Sequence, residues 1–361
     1  MLATVQYIRE HGLEALTTDL GIKIREYDDL LVLNYDQIES PKTHPVVIEC
    51  RGLILEKDTY RVVSRKLDRF FNLGEAPETM AHLDINKARA YDKVDGSLIG
   101  IYNYCGAWYA ATRGTAMAEA NCAWGDTFFS LVLKAMDCDE EGFQLICDYH
   151  LEPYCTYVFE ITCPENRVVT RYEGYKLHYL ACRVNETGEY IDGEEEALAM
   201  GAVKIGEHSF DSIEHCVETA HALPDLKEGY VVYQDGKPVC KIKSPAYVAA
   251  HHIRGNGITP KSAMELVLLD EQDEYLAYFP EDADFFAPYE ESFKAMLHKI
   301  DDAYDDTKHI ESQKDFALAV KRYPFSDVLF KARARGENPI HTFHQKDLRG
   351  KMKILQSWMG I

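Results

Sequence analysis

The chain has 361 residues, 39 Lys+Arg against 60 Asp+Glu, and a formal net charge of −21. With 46% hydrophobic and 27% charged residues it has the composition of a globular protein of at least two domains, which excludes disordered and fibrous classes. So acidic a chain repels phosphate backbones, and any nucleic acid needs a local basic groove.

Residues 2–20 predict helix, with Leu2, Val5, Ile8, Leu13 and Leu16 near helical spacing. From about residue 22 the period changes to two. Strands are expected at 46–55 and 60–64, joined by Lys57-Asp58-Thr59, and at 97–102 and 108–112, with Gly106 at the turn. Residues 117–136 return to helix. Strands follow at 156–162, 168–172 and 176–184, then helices at 194–200 and 212–222. Strands at 229–233 and 239–242 flank the turn Gln234-Asp235-Gly236. After about residue 250 the strand signals stop. Helices are expected at 261–278, 286–304, 309–321 and 342–358, punctuated by Pro260, Pro280, Pro288, Pro324 and Pro339. The expected architecture is α+β: a body of antiparallel sheets with helices over 1–248, then an all-α C-terminal domain over 249–361.

Charge is unevenly placed. Residues 270–306 carry 13 acids and two bases, a net of −11, while 321–361 carry nine bases and three acids, a net of +6. No stretch offers about 20 continuous apolar residues, so no membrane span is expected. The N-terminus has no basic region leading into an apolar core, so no signal peptide is expected. The ten cysteines form no C-x-x-C pair and read as free thiols in a reducing cytoplasm. No feature calls for an obligate protein partner.

The usual phosphate-binding signatures are missing. There is no G-x-x-x-x-G-K-[ST], and Gly255-Asn256-Gly257 has Pro260 where a third Gly belongs. A different constellation stands out. Lys93-Val94-Asp95-Gly96-Ser97 precedes a predicted strand. Glu160 lies between Phe159 and Ile161, so it faces away from two apolar neighbours. Glu228-Gly229-Tyr230-Val231 opens another strand. In Lys241-Ile242-Lys243 the alternation puts both ammonium groups on one face.

The order K-x-D-G, strand Glu, E-G-Y-V and K-x-K resembles the covalent nucleotidyltransferase superfamily. Four stretches resemble, more narrowly, the phage T4-type RNA ligase 1 family: Glu49-Cys50-Arg51-Gly52; Ser64-Arg65 through Arg69-Phe70-Phe71-Asn72; Phe159-Glu160 with Pro164-x-Asn166-Arg167; and Lys241-Ile242-Lys243-Ser244 with Tyr247. The resemblance covers roughly residues 30–250. It implies an adenylyltransferase domain and an ATP- and Mg²⁺-dependent RNA ligase. In that reading Lys93 attacks the α-phosphorus of ATP to form a Lys–AMP phosphoramidate. The amine must be neutral to attack, and the nearby cations Lys241 and Lys243 disfavour the ammonium form.

The resemblance further implies that Arg51, Arg69 and Arg113 meet nucleotide or phosphate and that Phe71 helps build the pocket. The family has Lys where this chain has Arg69 and Arg113, and Arg presents a planar fork rather than a point charge. Gly96 and Gly229 belong to the same motifs, Gly96 giving backbone close approach to the nucleotide. Asp95, Glu160 and Glu228 offer oxygens for Mg²⁺ or for ribose hydroxyls, two roles the residues do not separate. Tyr247 matches a position implicated in activity, and Asp273 is a minority candidate for a metal contact. The implied partners are RNA ends, single-stranded or in a cleaved tRNA loop, and a phage-encoded protein would meet them in the host cytoplasm. DNA ligases and capping enzymes are the near rivals, but they carry an all-β domain after K-x-K where this chain predicts helices. A catalytically inert homologue that only binds nucleotide or RNA, or an acidic scaffold with chance motifs, are the others.

Overall fold

The computed structural model describes residues 2–361 apart from 38, 123–125, 224–225, 249–257, 270–271, 273–274 and 277–278. The chain divides into two compact units, 1–251 and 252–361.

The first unit opens with α1 (Ala3–His11) and α2 (Glu14–Leu20). The single helix expected over 2–20 breaks at Gly12, whose φ of 88° ends α1. β1 (Ile22–Glu26) and β2 (Leu30–Tyr35) follow, then α3 (Pro45–Glu49), β3 (Arg51–Glu56) and β4 (Val62–Ser64). The strand expected from residue 46 therefore starts only at Arg51. Pro45 at the first helical position, with Val46 and Val47 buried against α1 and α2, overrides the β-branched run. These strands form one antiparallel sheet in the order β1-β2-β3-β4. Glu49, at the end of α3, accepts from the Ala3 and Thr4 backbone N–H groups and so caps α1.

Next come β5 (Phe71–Asn72), β6 (Ala88–Asp92), β7 (Ser97–Tyr104), β8 (Ala107–Ala111), α4 (Phe128–Met136), α5 (Glu140–His150), β9 (Cys155–Thr162), β10 (Lys176–Val184), β11 (Tyr190–Ile191), α6 (Glu194–Ala199), β12 (Glu207–His208), α7 (Ile213–His221), β13 (Gly229–Gln234) and β14 (Lys237–Lys243). They build two five-stranded sheets. One runs β11-β10-β9-β7-β8 and is antiparallel throughout. The other runs β12-β6-β13-β14-β5, antiparallel except for the parallel pair β5–β14. Helices α4 and α5 cover the first through Leu131, Val132 and Phe143, packed with Ile99, Ile101 and Phe159. Helix α7 covers the second through Cys216 and Ala220, packed with Val232 and Cys240.

Two further expectations fail in this unit. The helix predicted from residue 117 begins at Phe128, capped by Thr127, because residues 117–122 are irregular and Asn121 forms a bridge to Thr127. Residues 168–172 form no strand, since the Val169 and Thr170 N–H groups go to a side chain rather than to a ladder.

The second unit is helical among the described residues: Pro260–Leu269, Ala283–Thr307, Gln313–Val320, Ser326–Arg335, Pro339–His344 and Leu348–Met359. Pro288 was expected to bound a helix but lies inside the 25-residue one, in its second turn. The core is Met264, Met296, Ile300, Phe316, Phe325, Leu329, Phe343 and Leu355. No helix among the described residues is long and apolar enough to cross a membrane.

Candidate active site

Lys93 follows the last residue of β6, and its backbone N–H donates to the Gly229 carbonyl at 2.8 Å. That bond continues the β6–β13 ladder, in which Tyr230 pairs with Asp92 and Val231 with Tyr91. On the far side β13 pairs with β14, setting Gly229 opposite Lys243 and Val231 opposite Lys241. Three adjacent strands thereby bring Lys93, Glu228, Lys241 and Lys243 together. Lys93 Nζ lies 2.7 Å from Glu228 Oε1, and Lys243 Nζ lies 3.0 Å from the same oxygen. Glu228 is buried, so two ammonium groups compensate one desolvated carboxylate.

A cavity of about 380 Å³ opens beside this cluster, lined by residues of both five-stranded sheets. Five cations line it, Arg51, Lys93, Arg113, Lys241 and Lys243, against the carboxylates Asp92 and Glu160. This is the local basic groove that an acidic chain needs to hold phosphate. Leu67, Leu180, Ile205 and Val231 add an apolar wall. Arg51 packs on Phe70 at 5.2 Å and Lys241 packs on the same ring at 5.6 Å. The Arg51 Nη1 group is buried with no hydrogen-bond partner, a donor that an anion in the cavity can satisfy. Burial, with Arg51, Lys93 and Lys243 adding to it, pushes the Lys241 amine down to about 8.

Glu160 reaches the cavity from β9 between the buried side chains of Phe159 and Ile161. Burial pushes its carboxyl up to about 7, against the opposing pull of Lys93. The other acids are differently placed. Asp95 is buried and does not line the cavity. Its Oδ2 accepts from Val169 N at 2.8 Å and Thr170 N at 2.6 Å, and its Oδ1 accepts from the Tyr247 hydroxyl at 2.7 Å. Both oxygens are thus engaged by the protein, pinning the segments after β9 and β14 around the Lys93 turn. Tyr247 is itself buried, with Lys243 Nζ 5.2 Å from its ring centre and its phenol held protonated by burial. Asp92 Oδ1 is 2.8 Å from His208 Nε2.

The two motif glycines have steric reasons. A Cβ on Gly96 would stand 2.3 Å from the Ile161 carbonyl, so its bareness lets the turn lie against β9, and Gly96 also lines the cavity. Gly229 has φ 134°, and a Cβ there would stand 2.0 Å from the Ile242 carbonyl.

Arg69 and Phe71 do not line this cavity. They line a neighbouring one of about 650 Å³ that shares Phe70 with it. Arg69 lies over Tyr35 at 4.2 Å and Phe71 at 5.3 Å, and its Nη1 is likewise buried without a partner. Arg113 also approaches Tyr35, at 5.5 Å. Asp273 lies outside the described residues. Sequence reasoning quoted Phe70 without a role, though its ring borders both cavities while Phe71 borders only the second, and it missed Leu180 and Ile205 of the apolar wall, which stand in no quoted motif.

Among the described residues no group of three His, Cys, Asp or Glu forms a ready metal cage. Glu228 is held by two lysines and Asp95 by three donors. Glu160 is the cavity carboxylate best placed for a cation. A single carboxylate suffices for a Mg²⁺ ion that arrives on a polyphosphate, because phosphate oxygens and water would supply the remaining ligands.

The RNA ligase family profile matches residues 49–247 of this chain. A protein of Autographa californica nuclear polyhedrosis virus, named for polynucleotide kinase and RNA ligase functions, is 41% identical over 80% of this chain and 43% of its own length. An RNA ligase of Rhodothermus phage RM378 is 24% identical over 83% of each chain. The chain thus spans less than half of the baculovirus protein, and 63% of a Thermovibrio ammonificans relative named for RNA ligase function, to which it is 28% identical over 67% of this chain. Of solved structures, an archaeal ATP-dependent RNA ligase is similar over 89% of this chain and 90% of its own, at 14% identity and a TM-score of 0.48.

Proposed function

Because this chain belongs to the RNA ligase family, we propose that it joins RNA ends at the expense of ATP, with Lys93 carrying AMP between substrates. The observation that carries this reading is the convergence of Lys93 and four further cations on one cavity, with the buried Glu228 in contact with Lys93 and Lys243.

In the first step Lys93 Nζ forms a bond to the α-phosphorus of ATP, the bond from that phosphorus to the β-phosphate oxygen breaks, and pyrophosphate leaves. Nζ must shed a proton, and the acceptor in contact with it is Glu228 Oε1. Arg51, Arg113, Lys241 and Lys243 offset the charge that grows on the phosphate oxygens. Leu180 and Val231, on opposing sheets, suit a flat apolar base. Glu160, the carboxylate that lines the cavity from β9, would hold a Mg²⁺ ion brought in with ATP, whose charge would add to that stabilisation. In the second step a 5′-phosphate oxygen of RNA attacks the AMP phosphorus, and the bond to Nζ breaks. In the third a 3′-hydroxyl attacks the activated phosphate and AMP leaves.

Single-stranded ends, including those of a cleaved tRNA loop, are the acceptors we assign to this site, and no protein partner is needed for the chemistry. Ten free thiols support a reducing compartment, the cytoplasm or that of a host. A helical second unit supports an RNA ligase over the DNA ligase and capping readings, which expect β-structure there. The test is circularisation of a 5′-phosphorylated oligoribonucleotide with ATP and Mg²⁺. Sealing that disappears in Lys93→Ala supports the reading. Sealing that survives in that variant overturns it.

A further inference from the structure

We infer that Lys66 is a positioning residue for nucleotide binding, a buried strut that fixes the backbone joint carrying Arg51 and Arg113 into the cavity. The inference rests on the proposed reading of that cavity as the ATP site.

Lys66 lies between β4 and β5 and is only 2% exposed. Its Nζ donates to the Gly52 carbonyl at 2.8 Å. Burial alone pushes its amine down to about 7, so the side chain is held there at a cost that a packing role does not require. The fold makes room for it: a Cβ on Gly100 would stand 2.8 Å from Lys66 Cγ and 3.0 Å from Cδ, so β7 is bare where the stem crosses. The acceptor explains the placement. Gly52 follows Arg51, has φ 76°, and sits so close to Arg113 that a Cβ would stand 2.8 Å from the Arg113 carbonyl. The peptide that Lys66 grips is therefore the contact between the segments bearing two of the five cavity cations. Behind it the Lys66 carbonyl accepts from Arg183 Nη1 at 2.7 Å, and Arg183 grips Asp68 with both Nη atoms at 2.8 Å. The strut is thus anchored at both ends.

The experiment is the ATP-concentration dependence of Lys93–AMP formation in wild type and Lys66→Met, which keeps the straight stem and removes Nζ. The expected result is about a tenfold rise in half-saturating ATP. The limiting rate stays within about twofold, and the unfolding midpoint at neutral pH does not fall, a combination that a merely structural role would not give. Should Lys66→Met fail to fold, Lys66→Gln, which keeps a donor on a shorter stem, is measured in its place with the same expected direction. Unchanged half-saturation, or a loss confined to the limiting rate, overturns the inference. Wild type that forms no adduct with ATP overturns instead the reading on which it rests.

Discussion

Replacing Lys66 by Met should stabilise the first unit in acid and destabilise it in alkali. The amine falls from 10.5 to about 7 on burial. At roughly 1.4 kcal/mol per factor of ten, folding around a charged Lys66 costs about 4–5 kcal/mol. The sign follows from proton binding. The unfolded lysine keeps its proton up to 10.5, and the folded one loses it near 7. Between these values the unfolded state binds more protons, so stability rises with pH. The penalty is complete below pH 7 and absent above 10.5. Met removes it but leaves the Gly52 carbonyl without its donor, a loss of about 1–3 kcal/mol. The net expectation is a gain of about 1–4 kcal/mol at pH 6 that reverses to a loss of about 1–3 kcal/mol near pH 10.5. Hydrogen-exchange mass spectrometry of peptides from β7 and β9, at several urea concentrations and pH values, reads the stability of this unit separately from the helical one. A variant less stable than wild type at pH 6, or a difference that does not change with pH, refutes the reasoning.

Asp95→Asn turns one of the accepting oxygens into a donor against Val169 N, Thr170 N and the Tyr247 hydroxyl. A loss of about 2–4 kcal/mol is expected, read as a lower urea midpoint, with Tyr247→Phe costing about 1 kcal/mol. Gly96→Ala would set a methyl 2.3 Å from the Ile161 carbonyl and displace the Lys93 turn. Adenylylation of that variant should fall by at least about 100-fold in a labelled-ATP gel assay, since a misplacement of about 1 Å has that effect. Glu160 is protonated below about 7 and ionised above it. Wild type should therefore need less Mg²⁺ for half-maximal adenylylation as pH rises through 7, whereas Glu160→Gln should lose that slope, both measured by Mg²⁺ titration at fixed ATP.

The chemistry was more legible in the sequence than its supports. Alternation alone sets Lys241 and Lys243 on one face and Glu160 opposite its apolar neighbours, because a strand has only two faces. Asp95 was not legible as an anchor: its partners stand 74, 75 and 152 residues away, and only the fold brings them to it. The doublet Phe70-Phe71 could not say that Phe70 borders both cavities and Phe71 only the second. The run Val46-Val47-Ile48 reads as strand by propensity, yet Pro45 and burial against α1 made it a helix. Lys66 sits in a basic-looking string, Ser64-Arg65-Lys66, and nothing local marks these residues as buried. Arg69, expected with Arg51 to meet phosphate, stands beside the second cavity, and its spacing in the sequence does not separate the two.

The most direct measurement is the intact mass of the purified protein, first stripped of any bound AMP, after incubation with ATP and Mg²⁺. A gain of one AMP, reversed by pyrophosphate, lost at low pH as a phosphoramidate should be, and mapped to Lys93 is the predicted result. No adduct, or an adduct on a residue other than Lys93, contradicts the account.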